Sequence, residues 1–108
     1  MEEHKMVEFI RDRLDQEELL CQLAEEAAEL SKAALKLRRA YGNTNNPTPI
    51  SAKEAYENLV EEAADVYWSW FMLGFDNVLS RTRIHKIVNE KMIRCAERLQ
   101  KDGERQSE

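Results

Sequence analysis

The sequence predicts an all-α protein, a four-helix bundle, on three observations. Glu, Ala, Leu, Lys and Arg, all strong helix formers, are its commonest residues. Only two prolines and three glycines interrupt the 108 residues. Apolar residues recur at three- and four-residue steps in four stretches, the mark of amphipathic helices. The length is that of one domain, read as residues 1–103, with 104–108 as a frayed tail.

Met6, Phe9, Ile10 and Leu14 outline a short first helix. Asp15 and Glu18 form a capping-box pattern that opens a second. Its apolar stripe reads Leu19, Leu23, Ala27, Leu30, Ala34, Leu37 and Tyr41, with Gly42 as terminator. The stretch "GNTNNPTPI" is the one clear loop signal, because Gly, Asn and Pro favour turns and Pro cannot continue a helix. Ser51 and Glu54 repeat the capping pattern and start a third helix with Ala55, Leu59, Ala63, Val66, Trp70 and Leu73 on one face. Gly74 is placed to end it. A fourth helix is expected from about Asn77 or Ser80 to Gln100, with Ile84, Val88, Met92, Cys95 and Leu99 inward and Gly103 beyond its end. Helices two and three, joined by a short loop, are expected to pack antiparallel.

The net charge is −5, with 15 acids against 8 bases in residues 1–75 and 8 bases against 6 acids thereafter. That balance argues against a nucleic-acid polymer as partner, since gripping a phosphate backbone requires a basic surface. It leaves room for a cation, and for a small anion near the last helix. The N-terminal "MEEHKMVEF" has neither the basic start nor the apolar run of a secretory signal. The apolar run "VYWSWFMLGF" is far short of the ~20 residues of a membrane span. A soluble, cytoplasmic protein without a membrane partner is therefore expected. Cys21 and Cys95, with no Cys or His at ligand spacing, read as reduced, packed thiols rather than zinc ligands.

Five of the eight aromatic residues fall between Tyr67 and Phe75. At about 100° per residue they surround their helix instead of lining one stripe. Covering them on several sides calls for a homo-oligomer, a dimer or tetramer, or else for an unusually deep core.

The informative motif is a repeat: "LAEEAAEL" at Leu23 to Leu30 and "LVEEAADV" at Leu59 to Val66. On a helical wheel Glu26 and Glu62 border the apolar stripes, with Glu29 and Asp65 one step further round, while Glu25 and Glu61 point to solvent. When the helices pair, Glu26, Glu29, Glu62 and Asp65 would meet. Four converging carboxylates repel one another and are driven toward protonation unless a cation sits among them. An all-oxygen set suits a hard ion, Mg²⁺ or Mn²⁺. An isolated ExxE is commonplace on a solvated helix face; two copies at matched positions are not. A ferritin-like di-metal bundle would need Glu-x-x-His, and neither His4 nor His85 has a Glu three positions before it. On the fourth helix Lys91, Arg94 and Arg98 follow i, i+3, i+7 spacing, a cationic strip suited to phosphate oxygens or simply a solvated basic face.

Glu26-x-x-Glu29-Leu followed by Glu62-x-x-Asp65-Val resembles the MazG-like all-α nucleoside triphosphate pyrophosphohydrolases, over roughly Leu19 to Leu99. The resemblance implies Mg²⁺-dependent hydrolysis of (deoxy)nucleoside triphosphates to monophosphate and pyrophosphate, in nucleotide-pool housekeeping. It implies Glu26, Glu29, Glu62 and Asp65 as metal ligands, one of them also orienting or deprotonating the attacking water. Lys91 and Arg98 would hold phosphates, with Arg94 beside them, and Trp68 or Trp70 could stack on the base. Two departures stand out: the 32 residues between the acidic motifs are a longer insert than the family usually has, and Cys95 replaces an Asn found in some relatives. The alternative from another class is a catalytically silent helical module that binds a nucleotide or a protein.

Overall fold

The computed structural model describes residues 1–42, 50–75 and 77–107. They form four helices: α1 (Glu3–Arg13), α2 (Gln16–Ala40), α3 (Ala52–Met72) and α4 (Val78–Ser107). Among the described residues there is no strand. Most of the "GNTNNPTPI" loop lies outside them. The chain divides into two compact units, Met1–Gly74 and Phe75–Glu108.

The helix boundaries in the first unit follow local chemistry. The Asp15 carboxylate accepts a hydrogen bond from the Glu18 N–H at 2.8 Å, and the Ser51 hydroxyl accepts one from the Glu54 N–H at 3.2 Å. Each satisfies an N–H that the first helical turn leaves without a partner. Gly42 (φ +77°) and Gly74 (φ +82°) follow the ends of α2 and α3 in the left-handed conformation that favours glycine. Their N–H groups return to the Arg39 and Phe71 carbonyls.

α2 and α3 pack antiparallel and carry the centre of this unit. The Gln22 side chain reaches Ser69 at one end, while Lys36 and Arg39 share a groove with Asn58 at the other. One line of buried and half-buried positions runs 19, 23, 26, 30, 33, 37 along α2, and another 55, 59, 62, 66, 69 along α3 to its cap at 73. This alternation of four and three is the spacing of helices paired nearly in line. Leu19 and Met72 are nearly fully buried, each contributing about 1.5–3 kcal/mol of transfer free energy.

That spacing turns both helices relative to the expected stripes. Ala27, Ala34, Tyr41 and Ala63, expected inward, are exposed, and Ala33 and Ser69 are buried instead. The expected stripes open with two four-residue steps in succession, 19–23–27 and 55–59–63, and so miss the contact line by one residue at every second position while meeting it at 30, 37, 66 and 73. Ser69, at 0% exposure, is tolerated because its hydroxyl is satisfied. It donates to the Asp65 carbonyl at 2.8 Å and accepts from Gln22 Nε2 at 3.0 Å.

α1 packs on α3. Its half-buried residues are Val7, Ile10 and, just past its end, Leu14; Met6 and Phe9, also expected inward, are exposed. Phe9 is covered instead by the Arg13 guanidinium, 4.4 Å from the ring centroid. Arg11 reaches the end of α3, donating from Nε to the Met72 carbonyl (3.1 Å) and from Nη2 to the Phe71 carbonyl (2.9 Å). α3 has no base of its own in its last turn, so Arg11 supplies the cation that its C-terminal dipole favours.

The second unit contains the single helix α4. The Ser80 N–H donates to Asn77 Oδ1 at 2.8 Å, which makes Asn77 the cap and starts the helix within the expected span. Its end differs from expectation: α4 continues through Gly103 to Ser107. Gly103 has no positive φ, and a glycine within a helix costs only about 1 kcal/mol relative to alanine. Of the residues expected inward, Ile84 is half-buried, while Val88, Met92, Cys95 and Leu99 are exposed. One helix buries only what a second element covers, and this unit has one. Cys21 is likewise exposed, so neither thiol is packed.

Candidate functional site

The antiparallel pairing matches one turn along α2 to one turn back along α3. It brings Gln22 to Ser69, Glu26 to Asp65, and Glu29 to the same groove as Glu62. Glu26, Glu62 and Asp65 converge: one carboxylate oxygen from each lies within 4.8 Å of the others, and all three residues are half-buried. Burial raises the Glu26 carboxyl above its ordinary value of 4.5, and the negative charges of Asp65, Glu62 and Glu29 and a hydrogen bond with Asp65 push it the same way. A cation placed among these oxygens would remove that penalty.

Three of the four expected acids therefore meet, and the fourth stands at the rim. Glu29 is exposed and pairs with Lys32 at 3.4 Å, a contact within its own helix. Glu29 lies about 60° round the helix from Glu26, and with Glu26 in the α2–α3 seam that offset leaves Glu29 at its rim. Glu25 and Glu61 are exposed, as expected.

The donor set fits a hard divalent cation. Three carboxylates provide oxygen-only ligation and leave coordination positions for water or phosphate, the usual habit of Mg²⁺. Zinc and the softer metals favour nitrogen or sulfur donors, and the trio contains neither.

A groove of about 240 Å³ runs on from this site, lined by Glu29 and Glu62 together with Lys32, Lys36, Arg39 and Asn58. These cations were not singled out in the sequence, although Lys32, Lys36 and Arg39 step i, i+4, i+7 along the face that Glu29 begins. Gln22 and Ser69 were also missed. Each lies one turn beyond an acid of the site, and neither residue type is conspicuous without knowledge of the helix pairing.

The remaining candidates are not among the residues that line this groove. Trp68 lines an apolar groove of about 310 Å³ with Met6, Val7, Ile10, Tyr67, Phe71 and Met72, on the α1 side of α3. Trp70 is half-buried. Lys91, Arg94 and Arg98 are exposed along α4 in the second unit. Among the described residues no helix is long and apolar enough to cross a membrane. Comparison of the chain with protein-family models, with curated proteins and with solved structures gives no match.

Proposed function

We propose that this protein is a Mg²⁺-dependent nucleoside triphosphate pyrophosphohydrolase of the MazG-like type, its helices assembled as a four-helix bundle and its chains as a homo-oligomer. The observation that carries the reading is the half-buried meeting of Glu26, Glu62 and Asp65 on two antiparallel helices whose acid spacing repeats. The exposure of Tyr67 (63%), Met92 (65%) and Leu99 (66%) in the single chain supports assembly with further copies.

In this reading water attacks the α-phosphorus, the bond from that phosphorus to the bridging oxygen breaks, and monophosphate and pyrophosphate leave. Mg²⁺, when bound, lowers the pKa of water, neutralises phosphate oxygens and offsets charge on the leaving pyrophosphate. Glu26, Glu62 and Asp65 hold the ion. Glu29 borders it, and one carboxylate of the four takes or directs the proton of the attacking water. Lys91, Arg98 and Arg94 hold phosphate oxygens, Lys32, Lys36 and Arg39 are further cations beside the acids, and Trp68 or Trp70 stacks on the base. The setting is nucleotide-pool housekeeping in the cytoplasm.

The test is pyrophosphate release from a panel of ribo- and deoxyribonucleoside triphosphates, with Mg²⁺, with Mn²⁺ and with neither. Release that depends on the metal and disappears in Glu62→Gln supports the reading. Full activity in that variant overturns the site. The exposed apolar face of α4 also suits a second reading, a silent nucleotide- or protein-binding module. Metal-dependent thermal stabilisation without release from any substrate would favour it.

A further inference from the structure

The three carboxylates can meet only if α2 and α3 hold one register, and the alanines at buried positions, set among half-buried Leu23, Leu30, Leu59 and Val66, specify it less sharply than a directional contact does. Among the described residues, two of the four buried apolar ones are alanines, Ala33 and Ala55. Their small, smooth surfaces accept more than one alignment. Beside the hydrogen bond between Glu26 and Asp65, a directional contact between neutral side chains crosses this seam, Gln22 Nε2 donating to Ser69 Oγ at 3.0 Å. Ser69 is fully buried, so a slip of the helices would cost its oxygen the Gln22 donor in a place that water does not reach. The same hydroxyl donates to the carbonyl of Asp65 at 2.8 Å. Gln22 is one turn before Glu26 on α2, and Ser69 is one turn after Asp65 on α3.

We propose that Gln22 and Ser69 are positioning residues for the carboxylate site: their hydrogen bond sets the α2–α3 register and steadies the turn that presents Asp65 to Glu26 and Glu62. The proposal rests on the metal-site reading above. It adds a role for two neutral side chains that touch neither metal nor substrate. Groups that orient metal ligands in this way are typically worth about 10- to 100-fold in metal affinity.

The experiment is Mn²⁺ titration of the full chain without nucleotide, followed by the electron paramagnetic resonance signal of free Mn²⁺. Thermal melts verify that each variant is folded at the working temperature. Gln22→Met and Ser69→Ala are each expected to weaken Mn²⁺ binding about 10- to 100-fold. The double variant, in which neither polar group is left unpaired, is expected to regain thermal stability toward wild type but not metal affinity. Arg11→Met, which loosens the same unit at the other face of α3, controls for general destabilisation and is expected to keep wild-type affinity. If Ser69→Ala does not fold, Gln22→Met and the double variant carry the test. Wild-type Mn²⁺ affinity in the single variants, or its return in the double variant, would overturn the proposal and leave the metal site standing. A wild-type chain that binds no Mn²⁺ would overturn the metal site and the proposal together.

Discussion

Helix α3 shows two faces built on opposite principles. Toward α1 it presents Trp68 and Phe71, and the contact is closed by Arg11, which caps the helix and lies 5.7 Å from the Phe71 ring centroid. Toward α2 it presents Glu62, Asp65 and Ser69 among buried Ala55 and half-buried Leu59 and Val66. The first face gains from burial and from a cation at a helix C-terminus. The second gives up part of that gain to gather like charges, and needs hydrogen bonds to keep its partner aligned. Like charges gathered at a helix seam suggest a site more than a stabilising contact.

The largest effect should come from weakening the apolar packing of the α2 face. Leu19→Ala is expected to cost about 2–5 kcal/mol in urea unfolding; a loss under about 1 kcal/mol would mean that the seam does not depend on its apolar end. Next, Asp65→Asn should lower pyrophosphate release by more than about a hundredfold, a floor set by what loss of ligand-orienting groups costs, with melting temperature held or raised. A parallel loss of helicity would instead mark Asp65 as structural. On the opposite face, Arg11→Met removes two charged hydrogen bonds, one of them exposed. About 1–2 kcal/mol of stability should be lost, with activity per folded molecule unchanged.

The acid face should also respond to pH in the sense opposite to an ordinary salt bridge. The Glu26 carboxyl is raised by burial and by Asp65, Glu62 and Glu29, so the folded chain binds its proton more tightly than the unfolded chain. Its contribution to stability is complete below the unfolded value and is lost as pH rises through the raised one. Without metal, Glu26→Gln should therefore melt higher than wild type at neutral pH, the gap closing toward pH 4.5 and when Mg²⁺ is added. A gap that widens on acidification would reverse the assignment. The smallest effect belongs to Lys32→Ala, which breaks a pair that is 73% and 53% exposed on its two sides; a stability change within about 0.5 kcal/mol is expected.

How much of this was legible in the residues depends on the range of the interaction. Asp15 with Glu18, Ser51 with Glu54, Gly42 and Gly74 mark helix ends through contacts that span a few positions, and the structure follows them. Gly103 misled, because a glycine ends a helix only where the chain needs a left-handed turn, and here it does not. Within the site, the matched acid spacing was enough to bring Glu26, Glu62 and Asp65 into view. It could not separate them from Glu29, since all four lay near the edge of a stripe drawn without a partner.

The sequence by itself determined the all-helical character, the antiparallel pairing of α2 with α3 and the acids that border their seam, since helix propensity, capping and periodicity are properties of neighbouring residues. Only the tertiary structure decided the rotation of each helix about its axis. That rotation turns Glu26 inward and Glu29 toward Lys32, buries Ser69 beneath Gln22 and sets Lys36 and Arg39 in a groove beside the acids. The physical reason is that a helix presents several nearly equivalent faces, and the choice among them is made by the surface it packs against.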